Sequence, residues 1–321
     1  MQKVILKRLL QLIPTLLVVI AFTFAATRLI PGDPVAAMLG EQYDATKVDA
    51  LREELGLNDP IPVQFGKYFA DILQGDFGES YYFNTSAINM IKARLPNTLV
   101  LSVSSLCIAI IVGVLFRVLS AKRQSSFLDY VLTVVSLFGV SAPVFWVAIM
   151  MVLVFSVNLG WLPSFGMATI AQDGLAAFLR HITLPCTCLA VIPMGTFMRI
   201  TRSSMIDSLG SDSVRALRAR GVSERSIVWK HALKNALPPI LTVVGMQFAG
   251  CFAGAVLTEN IFSWPGMGTM ISSAIDNRDY SLIQATVLVV ALAFVIINLI
   301  TDILYMVINP KVAIDAENGG M

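Results

Sequence analysis

Charged residues are scarce in this sequence. Asp, Glu, Lys and Arg make up 14% of its 321 residues, whereas hydrophobic residues make up 56%. A soluble domain carries about 25% charged residues, and crossing the hydrocarbon core of a bilayer takes about 20 consecutive apolar residues. The low charge content therefore excludes an ordinary soluble domain and predicts an all-α integral membrane protein.

Residues that carry enzyme chemistry are equally sparse. There are only two histidines, His181 and His231, and the apolar pattern places them on opposite sides of the membrane. The four cysteines fall in or beside apolar runs, without Cys-x-x-Cys or zinc-finger spacing. No Gly-x-x-x-x-Gly-Lys-Ser/Thr loop is present to hold a nucleotide phosphate. We therefore expect no catalytic residues, no metal site and no cofactor of its own, so this chain is predicted not to be an enzyme.

The apolar runs also lack the buried carboxylates and histidines that mark proton or ion relays. The few polar residues at their edges are candidates for pairing with neighbouring polar atoms, or alternatively for a relay. They are Arg117, Glu259, Asn298 and Asp302. We favour pairing, and for Arg117 two alternatives stay open: its side chain reaches the inner membrane surface, or it pairs with a partner subunit.

Six membrane-spanning helices are predicted from the charge-free windows. The boundaries are a cytoplasmic N-terminus 1–8, a first span 9–30, an outer loop 31–96 and a membrane core 97–310, with a cytoplasmic tail 311–321. Within the core the spans are 97–119, 130–157, 182–202, 238–260 and 281–307, and an inner loop occupies 203–237. The first run resembles a signal peptide, but it is too long and lacks a cleavage site, so we expect it to remain as a helix.

Lys and Arg set the orientation. With both termini inside, fifteen of the 23 basic residues lie on the inner side, three lie on the outer side and five lie in the loop 31–96. Long loops are translocated largely regardless of their charge. The distribution therefore predicts that both termini and the loop 203–237 are cytoplasmic.

The outer loop 31–96 is too long for a simple connection. Val48, Leu51 and Leu55 have helical spacing, as do Phe65, Phe69 and Ile72. We expect a small helical cap on the outer face, and a solvated spacer is the alternative.

The fifth span is rich in small residues. Gly245, Gly250 and Gly254 are expected to let neighbouring helices approach closely. Pro238 and Pro239 are expected in its first turn. Proline is tolerated there because N–H groups in the first turn of a helix have no hydrogen-bond partner within the helix.

The inner loop contains the most basic stretch of the chain, "RALRARGVSERSIVWKHALKNALPP" (215–239), with six Lys or Arg against one Glu. We expect two short helices hinged at Gly221 in a left-handed conformation, with Ser223 capping the second helix and Glu224 at its positive end. Trp229, Leu233 and Leu237 would form the apolar face of the second helix.

Such a basic amphipathic segment suits three partners: anionic lipid, nucleic acid, or a groove of a cytoplasmic protein. Nucleic-acid binding would need a larger basic domain with base-reading elements, and we therefore expect no nucleic-acid partner. Membrane lipid and a protein partner stay open.

The same stretch resembles the cytoplasmic coupling loop of inner-membrane permeases in the dipeptide, oligopeptide, nickel and glutathione branch of ATP-binding-cassette importers. Further motifs in the same order extend the resemblance along nearly the whole chain. They are "RLIPGDPV" (28–35), "LREELGL" (51–57), "GDFGES" (75–80), "RLPNTLVLS" (94–102), "RITRSSM" (199–205), "LTENIFSWPGMG" (257–268), "RDYSLIQA" (278–285) and "NLITDILYMVINP" (298–310).

This resemblance implies a multi-pass permease of the bacterial inner membrane with a type I-like fold. It implies a second related permease, two cytoplasmic ATPase subunits that bind ATP and Mg²⁺, and an extracytoplasmic binding protein. The loop would lie in a cleft of an ATPase. The positions implied for coupling are Arg215, Ala216, Gly221, Val222, Ser223, Glu224, His231, Asn235 and Pro238.

Two departures from the family pattern stand out. The widespread coupling motif begins Glu-Ala-Ala, whereas this chain has Arg215-Ala216-Leu217, and Arg117 stands where the resemblance predicts a small residue. A peptide or peptide-like solute is the expected cargo, with chelated nickel or another metal, or glutathione, as the alternative. The rival classes are an ATP-independent secondary carrier and a membrane anchor.

Overall fold

A computed structural model describes residues 2–29, 35, 45–54, 56–121 and 126–308. Its helices are α1 Gln2–Leu29, α2 Ala45–Glu54, α3 Ile61–Gln74, α4 Ala87–Ala121, α5 Phe127–Ser141, α6 Val144–Met151, α7 Ile170–Gly210, α8 Asp212–Ala219, α9 Glu224–Ser226, α10 Leu233–Phe262, α11 Met267–Asp276 and α12 Tyr280–Ile308. The π-helical segments Val152–Asn158 and Ile227–Ala232 continue α6 and α9. A short antiparallel hairpin pairs β1 Glu79–Ser80 with β2 Thr85–Ser86, with Glu79 opposite Ser86.

Five helical stretches in the described residues are long and apolar enough to cross a membrane. They are Leu12–Leu29, Ala87–Val118, Ile170–Gly210, Glu224–Phe262 and Tyr280–Thr301. Several run beyond the spans predicted from the sequence, because a charge-free window marks only the part of a helix that suits hydrocarbon, whereas backbone hydrogen bonding continues into polar residues. The two helices predicted in the outer loop lie at α2 and α3.

The span predicted at 130–157 is not one continuous helix. Phe127–Ser141 and Val144–Asn158 are bent by 111° at their junction, and they make a sixth crossing if they are counted as one broken span. The cause is Pro143, because a proline disfavours helical geometry in the residue before it. Ala142 accordingly has an extended backbone (φ −73°, ψ 132°), and Pro143 caps the start of α6.

The chain divides into two compact units. Among the described residues, the first comprises 2–5, 98–121, 126–264 and 297–308, and the second comprises 6–29, 35, 45–54, 56–97 and 265–296. In the first unit, α7 packs against α5, α6 and α10. Its largest buried cluster includes Phe197, Met205, Val228, Ala232 and Ala236. This cluster joins the later part of α7 to the π-helical segment Ile227–Ala232 and to α10.

Glycines allow the helices of the first unit to approach closely. A Cβ atom added to Gly195 would lie 2.6 Å from the Ser136 carbonyl oxygen, and one added to Gly113 would lie 2.9 Å from the Phe197 Cβ. The three glycines expected to pack in the fifth span behave differently. An added Cβ would lie 2.0 Å from the Thr301 Cγ2 at Gly245 and 3.4 Å from the Leu189 Cδ1 at Gly254, whereas nothing lies within 4 Å at Gly250.

The second unit has its own core, in which Ala87, Ile91, Met270 and Leu282 are buried. Ser80 Oγ donates a hydrogen bond of 2.5 Å to Asp279 Oδ2, while Asp279 Oδ1 accepts from the Leu282 N–H at 3.1 Å and so satisfies the first turn of α12.

An aromatic group joins α1 to α3 in the same unit. The Phe24 ring lies 5.2 Å from Phe65 and 5.7 Å from Tyr68 between centroids. Burial raises the pKa of Tyr68 to about 12. The loop helix α3 is thus packed against the end of the first span, which favours a folded cap over a solvated spacer.

The glycine contacts generate a prediction on stability. Gly245→Ala should lower the thermal unfolding temperature in detergent, because overpacking typically costs about 1–3 kcal/mol. Gly250→Ala should leave it unchanged or slightly raised, because alanine is the better helix former by about 1 kcal/mol. Fluorescence-detected gel filtration after heating measures both variants. If the Gly245→Ala and Gly250→Ala variants unfold at the same temperature, the close approach of Gly245 to Thr301 is contradicted.

Candidate functional site

The predicted inner loop folds into a short helix held between two long ones. Helix α7 ends at Gly210, and Ser211 (φ −68°, ψ 153°) breaks it before α8 begins at Asp212. After α8 the chain turns through residues 220–223 and re-enters a helix at Glu224, which continues to Phe262. The loop is therefore joined on both sides to helices long enough to cross the membrane.

Gly221 makes the turn possible. Its φ is +77°, in the left-handed region that favours glycine. The Gly221 N–H donates to the Arg218 carbonyl at 3.0 Å, and the Val222 N–H donates to the Leu217 carbonyl at 3.1 Å. These two bonds form a Schellman motif, which satisfies the last carbonyl groups of α8. The left-handed conformation expected for Gly221 is present.

The residues after the turn differ in part from expectation. Ser223 occupies the N-cap position but makes no side-chain capping bond, so the capping role predicted for its hydroxyl is wrong. Glu224 does open the helix, and its carboxylate accepts from Arg218 Nε at 2.7 Å and from Arg218 Nη2 at 3.4 Å. The Glu224 carboxylate thereby raises the pKa of Arg218. This exposed ion pair links the two sides of the turn.

One side of the loop is buried and the other is open. Val214 on α8 and Ile227 are fully buried, and α8 contacts both α7 and the π-helical segment. Arg215, Ala216 and Gly221 are exposed. The loop is therefore fixed to its own unit along one side and presents small and basic residues along the other.

The most buried side of the second helix lies next to the predicted apolar face. Val228, Ala232 and Ala236 are buried, whereas Trp229 and Leu233 are half-buried and Leu237 is exposed. The two sets have the same four-residue spacing and lie one residue apart on the helix, and Trp229 and Leu233 pack against the edge of the buried cluster that contains Val228 and Ala232.

Of the remaining coupling positions, Val222 lies in the turn, and the other three lie further along the helix that begins at Glu224. Val222, His231 and Pro238 are half-buried and Asn235 is exposed. Pro238 and Pro239 lie inside α10 rather than in its first turn, which corrects the expected start of this helix. The helix begins earlier because the loop itself is helical from Glu224.

Arg117 is held by a network within the first unit. It is 1% exposed, and its Nη1 donates to Asp129 Oδ1 at 2.9 Å. Asp129 also accepts from Arg202 Nε at 2.9 Å and from Arg202 Nη2 at 2.8 Å. Thr133 and Ser136 accept from Arg117 Nη2 at 3.2 and 3.3 Å. This partner within the chain was not among the two alternatives considered for Arg117.

Sequence reasoning missed Asp129 and Arg202 as partners of Arg117. The available signal was that all three lie at ends of apolar runs on the same predicted side of the membrane, in α5, α7 and α4 respectively. The pattern does not indicate which charged helix ends meet.

Glu259 lies in a separate polar contact. It is fully buried, and Thr98 Oγ1 donates to its Oε1 at 2.5 Å. Asn298 is half-buried on α12, and the side chain of Asp302 lies outside the described residues. Across the described ranges, no group of three or more His, Cys, Asp or Glu is placed to hold a metal ion. The geometry at Glu259 agrees with polar pairing at a helix end.

Comparison with known families covers both halves of the chain. Residues 109–314 match the model of the binding-protein-dependent transport system inner membrane component, and residues 1–102 match the model of the N-terminal part of such membrane components.

Related proteins align over almost the full length. The chain is 43% identical over 326 residues to a dipeptide transport system permease protein, DppB, of Alkalihalophilus pseudofirmus, with 96% of this chain and 98% of that protein covered. It is 40% identical to a putative peptide permease protein of Brucella suis and 39% identical to a glutathione transport system permease protein, GsiC, of Salmonella choleraesuis, with the same coverage in both cases.

A solved structure shares the fold. The chain matches the structure described as inward-facing conformations of the MetNI methionine ABC transporter with a TM-score of 0.57 and 14% identity, covering 69% of this chain and 97% of that one. With matches of this length and identity, the chain belongs to the family of binding-protein-dependent transport system inner membrane components, the multi-pass permease subunits of ATP-binding-cassette importers.

Proposed function

We propose that this permease is one of two related membrane subunits of an importer that takes up peptides or peptide-like solutes. Relatives at 38–43% identity carry the names of dipeptide, peptide and glutathione permeases. Dipeptides, peptides and glutathione are all amide-linked solutes that carry charges. This shared chemistry supports a peptide or peptide-like substrate. Import of a chelated metal is the second candidate within the same architecture.

The energy comes from cytoplasmic ATPase subunits, which bind ATP and Mg²⁺, and two such subunits complete the importer. The observation that carries this proposal is the geometry of the coupling loop. Its exposed side presents Arg215, Ala216 and the left-handed Gly221, while its buried side fixes α8 to two long helices. A small exposed helix on a rigid base suits docking into a groove of a partner.

Both termini and the coupling loop face the cytoplasm in this proposal. The distribution of Lys and Arg supports that orientation, because basic residues are retained on the inner side of short loops. A substrate-binding protein delivers its cargo to the opposite face of the membrane, to which the topology predicted from sequence assigns the loop 31–96.

A second, related permease completes the pathway. One face of α10 supports this proposal: Met246 is 71% exposed and Leu257 is 58% exposed, while Gly250 and Ala253 lie open between them. A face with small residues between large apolar ones permits close approach of another helix in a membrane. Within this proposal the face meets the partner subunit beside the solute path.

Substitution of Gly221 tests the coupling loop. Gly221→Val should lower peptide uptake and peptide-stimulated ATP hydrolysis by the assembled importer about tenfold, because a β-branched residue at this φ is strained by about 1–2 kcal/mol. Gly221→Asn, which tolerates the left-handed conformation, should lose less activity. Gly210→Ala is the matched control, because nothing lies within 4 Å of an added Cβ there. If a correctly inserted Gly221→Val variant takes up peptide as fast as the unchanged protein, the result would favour a carrier that needs no ATPase.

Substitution of Gly250 tests the partner permease. Gly250→Leu adds a side chain that meets no atom of this chain at its Cβ, so the single subunit should insert and unfold like the unchanged protein. Co-purification of the second permease and uptake should both fall, because the added side chain occupies the space of a close helix contact. If α10 faces lipid there, co-purification and uptake will both be unchanged, and the proposed interface is wrong.

A further inference from the structure

A cavity of about 380 Å³ opens beside the network of Arg117, Asp129 and Arg202. Three arginines line it, and hydroxyl groups complete the polar part of its wall. These lining residues are Arg117, Arg199, Arg202, Thr133, Ser136 and Ser203. Guanidinium groups bind phosphate groups effectively in proteins. The hydroxyls of Thr133 and Ser136 already donate to backbone carbonyls, so the arginines are the main donors that the wall offers to a ligand.

The charges in this cavity are not balanced. Asp129 is shared between Arg117 and Arg202, and Asp207 is the only acidic residue among those lining the cavity in the described part of the chain. Three cations therefore face two carboxylates. Arg117 is 1% exposed, and its Nε–H has no hydrogen-bond partner in the described residues. A buried cation with an unused donor is stabilised by an additional anion nearby.

The position of the cavity matches the edge of a membrane. Arg117 lies next to the end of the apolar stretch Ala87–Val118, and Arg199 and Arg202 lie in the last part of α7. Leu137 forms part of the cavity wall and is 56% exposed. Val134 and Phe138, three residues before and one residue after Leu137, are 65% and 54% exposed on the same side of α5. A polar, positively charged cavity thus adjoins an open apolar helix face.

We propose that this cavity binds the phosphate group of an anionic phospholipid, whose acyl chain lies along the exposed face of α5. Basic pockets between transmembrane helices at the membrane surface bind such headgroups. Free phosphate offers the same chemistry without the chain, and the acyl-chain surface on α5 favours the lipid. In the proposed orientation the lipid belongs to the inner leaflet. Because α7 leads directly into the coupling loop, a bound headgroup steadies the helix end from which α8 begins.

Lipid titration of the whole importer tests this site. The importer, purified in detergent, is titrated with phosphatidylglycerol or with phosphatidylcholine, while native mass spectrometry counts bound lipid and heating measures stability. Phosphatidylglycerol should bind and raise the unfolding temperature more than phosphatidylcholine. Arg199→Gln should weaken phosphatidylglycerol binding about tenfold, as expected for one lost charge-assisted hydrogen bond. Arg199 makes no ion pair with Asp129, so its loss leaves the buried network in place.

The control removes the same charge elsewhere on the proposed cytoplasmic side. Arg220→Gln, on the exposed turn after α8, should bind phosphatidylglycerol like the unchanged importer. Equal binding of the two lipids, or equal binding by Arg199→Gln and Arg220→Gln, would overturn the site. Inorganic phosphate that stabilises the lipid-free importer as well as phosphatidylglycerol does, with the same sensitivity to Arg199→Gln, would overturn the lipid as the source of the phosphate. These outcomes do not depend on peptide uptake, so the proposed transport function stands or falls separately.

Discussion

The hydrophobic contact between helix α8 and its base is the interaction on which the proposed coupling depends. Val214 and Ile227 are fully buried where α8 meets the end of α7 and the π-helical segment Ile227–Ala232. Both neighbours continue without interruption into long apolar helices, Ile170–Gly210 on one side and Glu224–Phe262 on the other. Close-packed protein interiors transmit displacement rather than absorb it. A push on the exposed side of α8, as the proposed partner ATPases would supply, is therefore passed to two membrane helices together.

The same unit holds its helices together by two further means, and both suit a membrane. Glycines allow close approach, as at Gly195 against α5 and Gly245 against α12. Asp129 joins the ends of α4, α5 and α7 by accepting from two arginines. Losing one member of a buried ion network leaves an uncompensated charge, which typically costs about 3–5 kcal/mol. This cost favours one arrangement of the helix ends, and the excess positive charge beside it is the feature on which the proposed phospholipid site rests.

Local features of this structure were predictable from sequence, and non-local ones were not. The left-handed Gly221 follows from its position after a basic helix, and the helices at 45–54 and 61–74 follow from apolar spacing. The bend before Pro143 was missed because the uncharged run 130–172 hides it, although the proline itself carries the signal. The pairing of Arg117 with Asp129 and Arg202 needed three helix ends to be placed in space. The most buried side of 227–236 lies one residue away from the predicted one, because Val228, Ala232 and Ala236 have the same four-residue spacing as Trp229, Leu233 and Leu237.

The central claim is that ATP hydrolysis by partner subunits, passed through the loop around Gly221, drives uptake. The most direct test reconstitutes the assembled importer with its binding protein in sealed vesicles and measures uptake of a labelled dipeptide. The account predicts uptake that requires ATP and Mg²⁺ on the side of the coupling loop and persists when a protonophore and ionophores collapse the ion gradients. Uptake that continues without ATP and stops when the gradients collapse would contradict it, and would identify the chain as a gradient-driven carrier.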